Sequence, residues 1–66
     1  MRKYTIIAKV DKHKFVKYRT NHIEKTISFL INKFGQVLYA NIYYKTGENK
    51  GLQFASYGKN KGLVKN

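Results

Sequence analysis

The sequence predicts an α+β domain: a small antiparallel sheet of three or four strands with one helix packed on one face, in the order β(β)αββ. Three observations predict it. Residues 3–10 and 36–45 alternate their side chains with the period of two that marks a strand. Residues 23–34 place apolar side chains at helical spacing. The chain is 42% hydrophobic and 15% aromatic, too rich in core-forming residues for a disordered basic segment.

In residues 3–10, Tyr4, Ile6, Ala8 and Val10 share one face, and Lys3, Thr5, Ile7 and Lys9 share the other. Asp11, Lys12 and His13 read as a turn. Residues 14–19 offer a second short strand with weaker alternation. Thr20 and Asn21 can start a helix, and Glu24 stands three residues after Asn21, the spacing of a capping box. Ile23, Ile27, Leu30, Ile31 and Phe34 form the helical stripe, and Gly35 can close the helix by taking a positive φ. Phe29 falls on the opposite side of the wheel, among His22, Lys25 and Lys33.

Residues 36–45 predict a long strand with Leu38, Ala40, Ile42 and Tyr44 toward the helix. Val37, Tyr39, Asn41, Tyr43 and Lys45 then face away. The segment from Thr46 to Gly51 is a turn with two glycines, and residues 52–57 complete a hairpin. Residues 59–66 are rich in Lys, Asn and Gly, with Leu63 and Val64 their only apolar pair, and read as a basic, mobile tail. The organisation expected is a single basic domain over 1–58 followed by that tail.

Sixty-six residues make one small core. A domain of this size buries only about 60% of the surface its unfolded chain exposes. Cysteine is absent, so no disulfide supplements the core. A second copy of the chain, or a bound partner, would therefore contribute to stability. No apolar run approaches the roughly 20 residues that span a bilayer, and the apolar stretch after Met1 is broken early by Lys9. The expectation is a cytoplasmic protein without a membrane partner. The abundance of Lys over Arg, with frequent Asn, Ile and Tyr, matches AT-rich coding sequence, as in a low-GC bacterium, its phages or its mobile elements.

Charge narrows the function. Fourteen Lys and Arg face three Asp and Glu, a formal charge of +11. The excess runs along the whole chain and interleaves with six tyrosines and four phenylalanines. Lysines that neutralise phosphates release condensed counterions, and aromatic rings beside them stack on unpaired bases. Nucleic acid, DNA or RNA, is the partner this predicts. The residues expected to touch it are Lys3, Lys9, Tyr39, Asn41, Tyr43, Lys45, Lys50 and Phe54.

Catalysis has little to work with. Asp11, Glu24 and Glu48 sit at turn and capping positions and form no carboxylate pair. His13 and His22 are the only titratable pair that an RNA-cleaving site could use. No phosphate-binding glycine loop and no metal-ligand spacing occurs. A non-enzyme without cofactor or metal is expected. The rival class is a small regulator or inhibitor that docks its basic surface on an acidic host protein. Phe29, bulky and apolar on the polar face of the helix, is the candidate protein–protein contact, because a core this small would gain from a homodimer.

Lys33-Phe34-Gly35, the strand that follows, Thr46-Gly47, and the octamer from Lys50 to Tyr57 form a recognisable series. Together they resemble the middle of an RNA-recognition motif over residues 30–57. That family's octamer is Lys/Arg-Gly-Phe/Tyr-Gly/Ala-Phe-Val-x-Phe/Tyr, matched at Lys50, Gly51, Phe54 and Tyr57. Leu52 replaces an aromatic, and Thr5 or Ile7 stands where the family keeps a companion ring. The resemblance implies that Lys50, Leu52 and Phe54 face RNA on an open sheet.

Overall fold

The structure is a computed structural model that describes residues 3–65. Among these residues the order is β1 (Tyr4–Asp11), β2 (Lys14–Thr20), α1 (Ile23–Phe34), β3 (Tyr39–Tyr44), β4 (Gln53–Gly58) and β5 (Gly62–Lys65). The strands make one sheet in the order β2-β1-β3-β4-β5, every neighbouring pair antiparallel. The α+β class is as expected, but the strand count is five and the order is ββαβββ.

β2 and β3 both run antiparallel to β1, so they are parallel to each other with β1 between them. Parallel strands need a crossover. Helix α1 is that crossover, which carries it over one face of the sheet. Ile27 and Leu30 bury their side chains there, with Ile23, Ile31 and Phe34 partly covered beside them. They meet Ile6, Ala8, Val10, Ala40, Ile42 and Ala55 from the sheet. Gly35 ends the helix at φ 87°, and its N–H donates to the Ile31 carbonyl over 2.8 Å.

Four expectations change. The helix is not capped by Asn21, because the Asn21 side chain accepts instead from the Lys3 N–H at 2.7 Å. His22 is the N-cap residue and makes no side-chain cap bond. Thr20 and Thr26 brace the start, with the His22 N–H donating to Thr20 Oγ1 and Thr26 Oγ1 lying 2.8 Å from the His22 carbonyl. Second, β3 begins at Tyr39, and residues 36–38 belong to the connection from the helix. Free of the strand's alternation, Val37 turns inward to near-complete burial, while Leu38 is only partly covered.

Third, part of the segment read as a tail is a strand. Leu63 pairs with Tyr57 and Val64 with Ser56, after a turn closed by the Lys61 N–H on the Gly58 carbonyl. Gly62 leaves that turn at φ 74°, a left-handed conformation that glycine adopts without steric cost. Fourth, β4 carries a bulge. Ile42 pairs with Ala55 but Tyr43 pairs with Gln53, leaving Phe54 as the extra residue. Strict alternation from buried Ala55 would have turned Phe54 away from the helix. The bulge sends Gln53 there instead.

Candidate nucleic-acid interface

Burial of Ile6, Ala8 and Val10 fixes which side of β1 faces the helix. Thr5, Ile7 and Lys9 therefore stand on the opposite, uncovered face. The strand register then assigns that face across the sheet. One transverse line runs Phe15, Lys9, Tyr39, Gly58, Gly62. The next runs Lys17, Ile7, Asn41, Ser56, Val64, and the third runs Arg19, Thr5, Tyr43, Gln53.

The first line holds the most exposed aromatics of this face. Phe15 is 57% exposed and Tyr39 43%. Their rings meet edge to face, 6.4 Å apart at 71°. The Lys9 ammonium lies 5.5 Å from the Phe15 centroid and 5.9 Å from that of Tyr39, within cation–π range of both. Tyr43 is four residues along β3 from Tyr39, roughly 13 Å at strand rise. Asn41 stands between them on the same face. Its side-chain oxygen accepts from Gln53 Nε2 at 3.2 Å, and the same nitrogen donates to the Ala55 carbonyl at 3.2 Å.

The structure thus brings together four of the residues singled out from sequence: Lys9, Tyr39, Asn41 and Tyr43. Lys3 and Lys45 lie at the Tyr43 end, where the Lys45 N–H extends the ladder by donating to the Lys3 carbonyl. Lys50 is set apart in the β3–β4 loop, its N–H 3.3 Å from the Gly47 carbonyl. Phe54 is not on this face. Its ring packs 5.0 Å from Tyr4 and 5.3 Å from Tyr44, two residues on the helix side, because of the bulge. Leu52 precedes β4 and is exposed.

Phe29 is 48% exposed but not isolated. It meets Tyr18 of β2 edge to face at 5.8 Å, with the Lys33 ammonium 5.7 Å from its centroid. It seals the rim between helix and edge strand. Sequence reasoning missed Phe15, Lys17 and Arg19 on the uncovered face. Their signal was present, since they alternate with Val16, Tyr18 and Thr20, but the mixed polarity of both sets hid it.

His13 lies in the turn before β2 and His22 at the helix start beyond it. Seven strand residues, roughly 20 Å of extended chain, separate the two ends. Among the described residues no group of His, Cys, Asp and Glu could hold a metal ion. Among them also, no helix is long and apolar enough to cross a membrane. No family model, curated protein or solved structure matches the chain.

Proposed function

We propose that this chain is a small, non-catalytic nucleic-acid-binding protein that holds an unpaired strand across the uncovered face of its sheet. The observation that carries the reading is the line of Phe15, Lys9 and Tyr39, two exposed rings around one ammonium, with Tyr43 on the same face. Exposed rings give bases a surface to stack on. Lys17 and Arg19 on edge strand β2, with Lys3 and Lys45 at the Tyr43 end, supply cations along the path a phosphate backbone would follow. His13 and His22 stand at opposite ends of β2, too far apart to act together as one acid–base pair.

The test is a titration of labelled single-stranded and duplex DNA and RNA across salt concentrations. Log affinity for single strands should fall linearly with log salt, with a slope of about −0.7 per phosphate contacted. Single strands should bind more tightly than duplex, whose bases are already stacked. Affinity insensitive to salt, or no polyanion bound at low salt, overturns the reading. In that case recovery of an acidic host protein from a nuclease-treated lysate would favour docking on a protein.

A further inference from the structure

We infer that a strand bound on the uncovered face turns over the Lys3–Lys45 end of the sheet and lays a base in a cleft on the helix side. This rests on the uncovered face being the strand-binding surface. Five strands about 4.8 Å apart span roughly 20 Å, about twice the diameter of a helix. Helix α1 lies over β1 and β2, so it leaves the helix side of β4 and β5 open. Phe54, Tyr57 and Leu63 on that side are only partly buried. Between them and the first turn of α1 lies a cleft of about 420 Å³, the size of a small-ligand site. Tyr4 and Phe54 line it from the sheet, their rings 5.0 Å apart and tilted by 32°, and Ile23 lines it from the helix. Lys25 and Lys65 border it against one carboxylate, that of Glu24, and the Lys65 ammonium lies 5.9 Å from the Phe54 centroid. The excess of cations favours an anion, and the rings favour an anion that carries an aromatic ring. A nucleotide has both parts: its base stacks on the rings and its phosphate pairs with the ammoniums.

The cleft opens where the uncovered face ends. Thr5 pairs with Tyr43 on that face, and the next pair outward, Tyr4 with Tyr44, turns to the helix side. Lys3 and Lys45 stand on the rim between the two sides, joined by the Lys45 N–H on the Lys3 carbonyl at 2.8 Å. The β3–β4 loop, which carries Lys50, leaves the sheet at the same end. A phosphate backbone that passes Tyr43 therefore meets Lys3 and Lys45 before it reaches Lys65 and the cleft. This path explains why cations gather at an end of the sheet that lies beyond the exposed rings of the first line. It also brings Phe54, which the bulge took off the uncovered face, to the same strand from the other side.

The experiment follows the backbone amide signals of the isotopically labelled full chain by NMR while an oligothymidylate of about twelve nucleotides is added at low salt. Signals around Tyr39 and Asn41 should shift, and those of Tyr4, Phe54 and Lys65 should shift with them. A double variant, Lys25→Glu with Lys65→Glu, reverses two exposed charges at the cleft and leaves the core untouched. Its control, Lys59→Glu with Lys61→Glu, changes the net charge equally from the β4–β5 turn at the other end of the sheet. The cleft variant should bind roughly fivefold or more weakly than the control, the low end of one lost base stack. It should also keep the shifts around Tyr39 while losing those at Tyr4 and Phe54. Shifts around Tyr39 without shifts in the cleft, or a cleft variant that binds as well as its control, overturn the inference and leave binding on the uncovered face standing. Shifts confined to the cleft, or no shift at all at low salt, overturn both.

Discussion

Phe15 and Tyr39 face each other across β1, on strands that are not neighbours, with their rings 6.4 Å apart and the Lys9 ammonium within reach of both. Three strands are needed to make this arrangement: the β1–β2 hairpin brings Lys9 to Phe15, and Tyr39 arrives from beyond the helix. The apolar area it leaves in water has no role in the core, which lies on the other side of the sheet.

Removing either ring should therefore affect binding and spare the fold. Tyr39→Ala and Phe15→Ala are each expected to lower single-strand affinity by about 1–3 kcal/mol where the ring carries a base. Circular dichroism and thermal melts should stay close to the parent. Variants that unfold, or that bind as the parent does, would show that the face is a packing or protein surface.

Cations on the same face should behave differently. Lys9→Ala, Lys17→Ala and Arg19→Ala should each weaken binding to every sequence alike and flatten the salt slope by about 0.7 if one phosphate contact is lost. Lys12→Ala, in the β1–β2 turn, serves as a charge-matched control and should change the slope less.

Phe54→Ala should destabilise the protein. Its ring joins Tyr4 and Tyr44 on the helix side, and truncating such a cluster costs about 2 kcal/mol or more. Urea titration beside a binding assay separates this from the Tyr39 result. Loss of affinity at unchanged stability would place Phe54 in the binding surface after all.

Leu30→Ala and Ile27→Ala remove side chains that the helix buries almost completely, at a cost of about 2–5 kcal/mol each. A core this small supplies about that much in total, so either variant is expected to be largely unfolded at room temperature. A melting curve like the parent's would refute the packing of α1 described above.

Strand β5 gives a paired test. Leu63 packs against the core from its helix-facing position, while Val64 is 48% exposed on the other side. Leu63→Ala should cost about 1–2 kcal/mol from the buried methylenes lost, and Val64→Ala much less. Equal effects in urea would mean that residues 62–65 contribute no strand to the fold.

The sequence by itself determined the helix, its stripe and its end. It also determined the inward set Ile6, Ala8, Val10, Ala40 and Ile42, because period 3.6 and period 2 are local properties that burial reads directly. It determined the charge and the four uncovered-face residues Lys9, Tyr39, Asn41 and Tyr43 for the same reason. Only the tertiary structure decided the rest. Lys3 lies 18 residues from Asn21 in sequence, and strand pairing rather than local propensity chose the partner of the Asn21 side chain. Residues 62–65 are too short and too polar to signal a strand, and become one because β4 offers an unpaired edge with Tyr57 opposite Leu63. The β4 bulge inverts the side-chain parity of a single residue pair. That one extra residue took Phe54 to the helix side and brought Gln53 beside Asn41. Alternation along one strand cannot reveal a bulge, because a bulge exists only relative to the strand it pairs with.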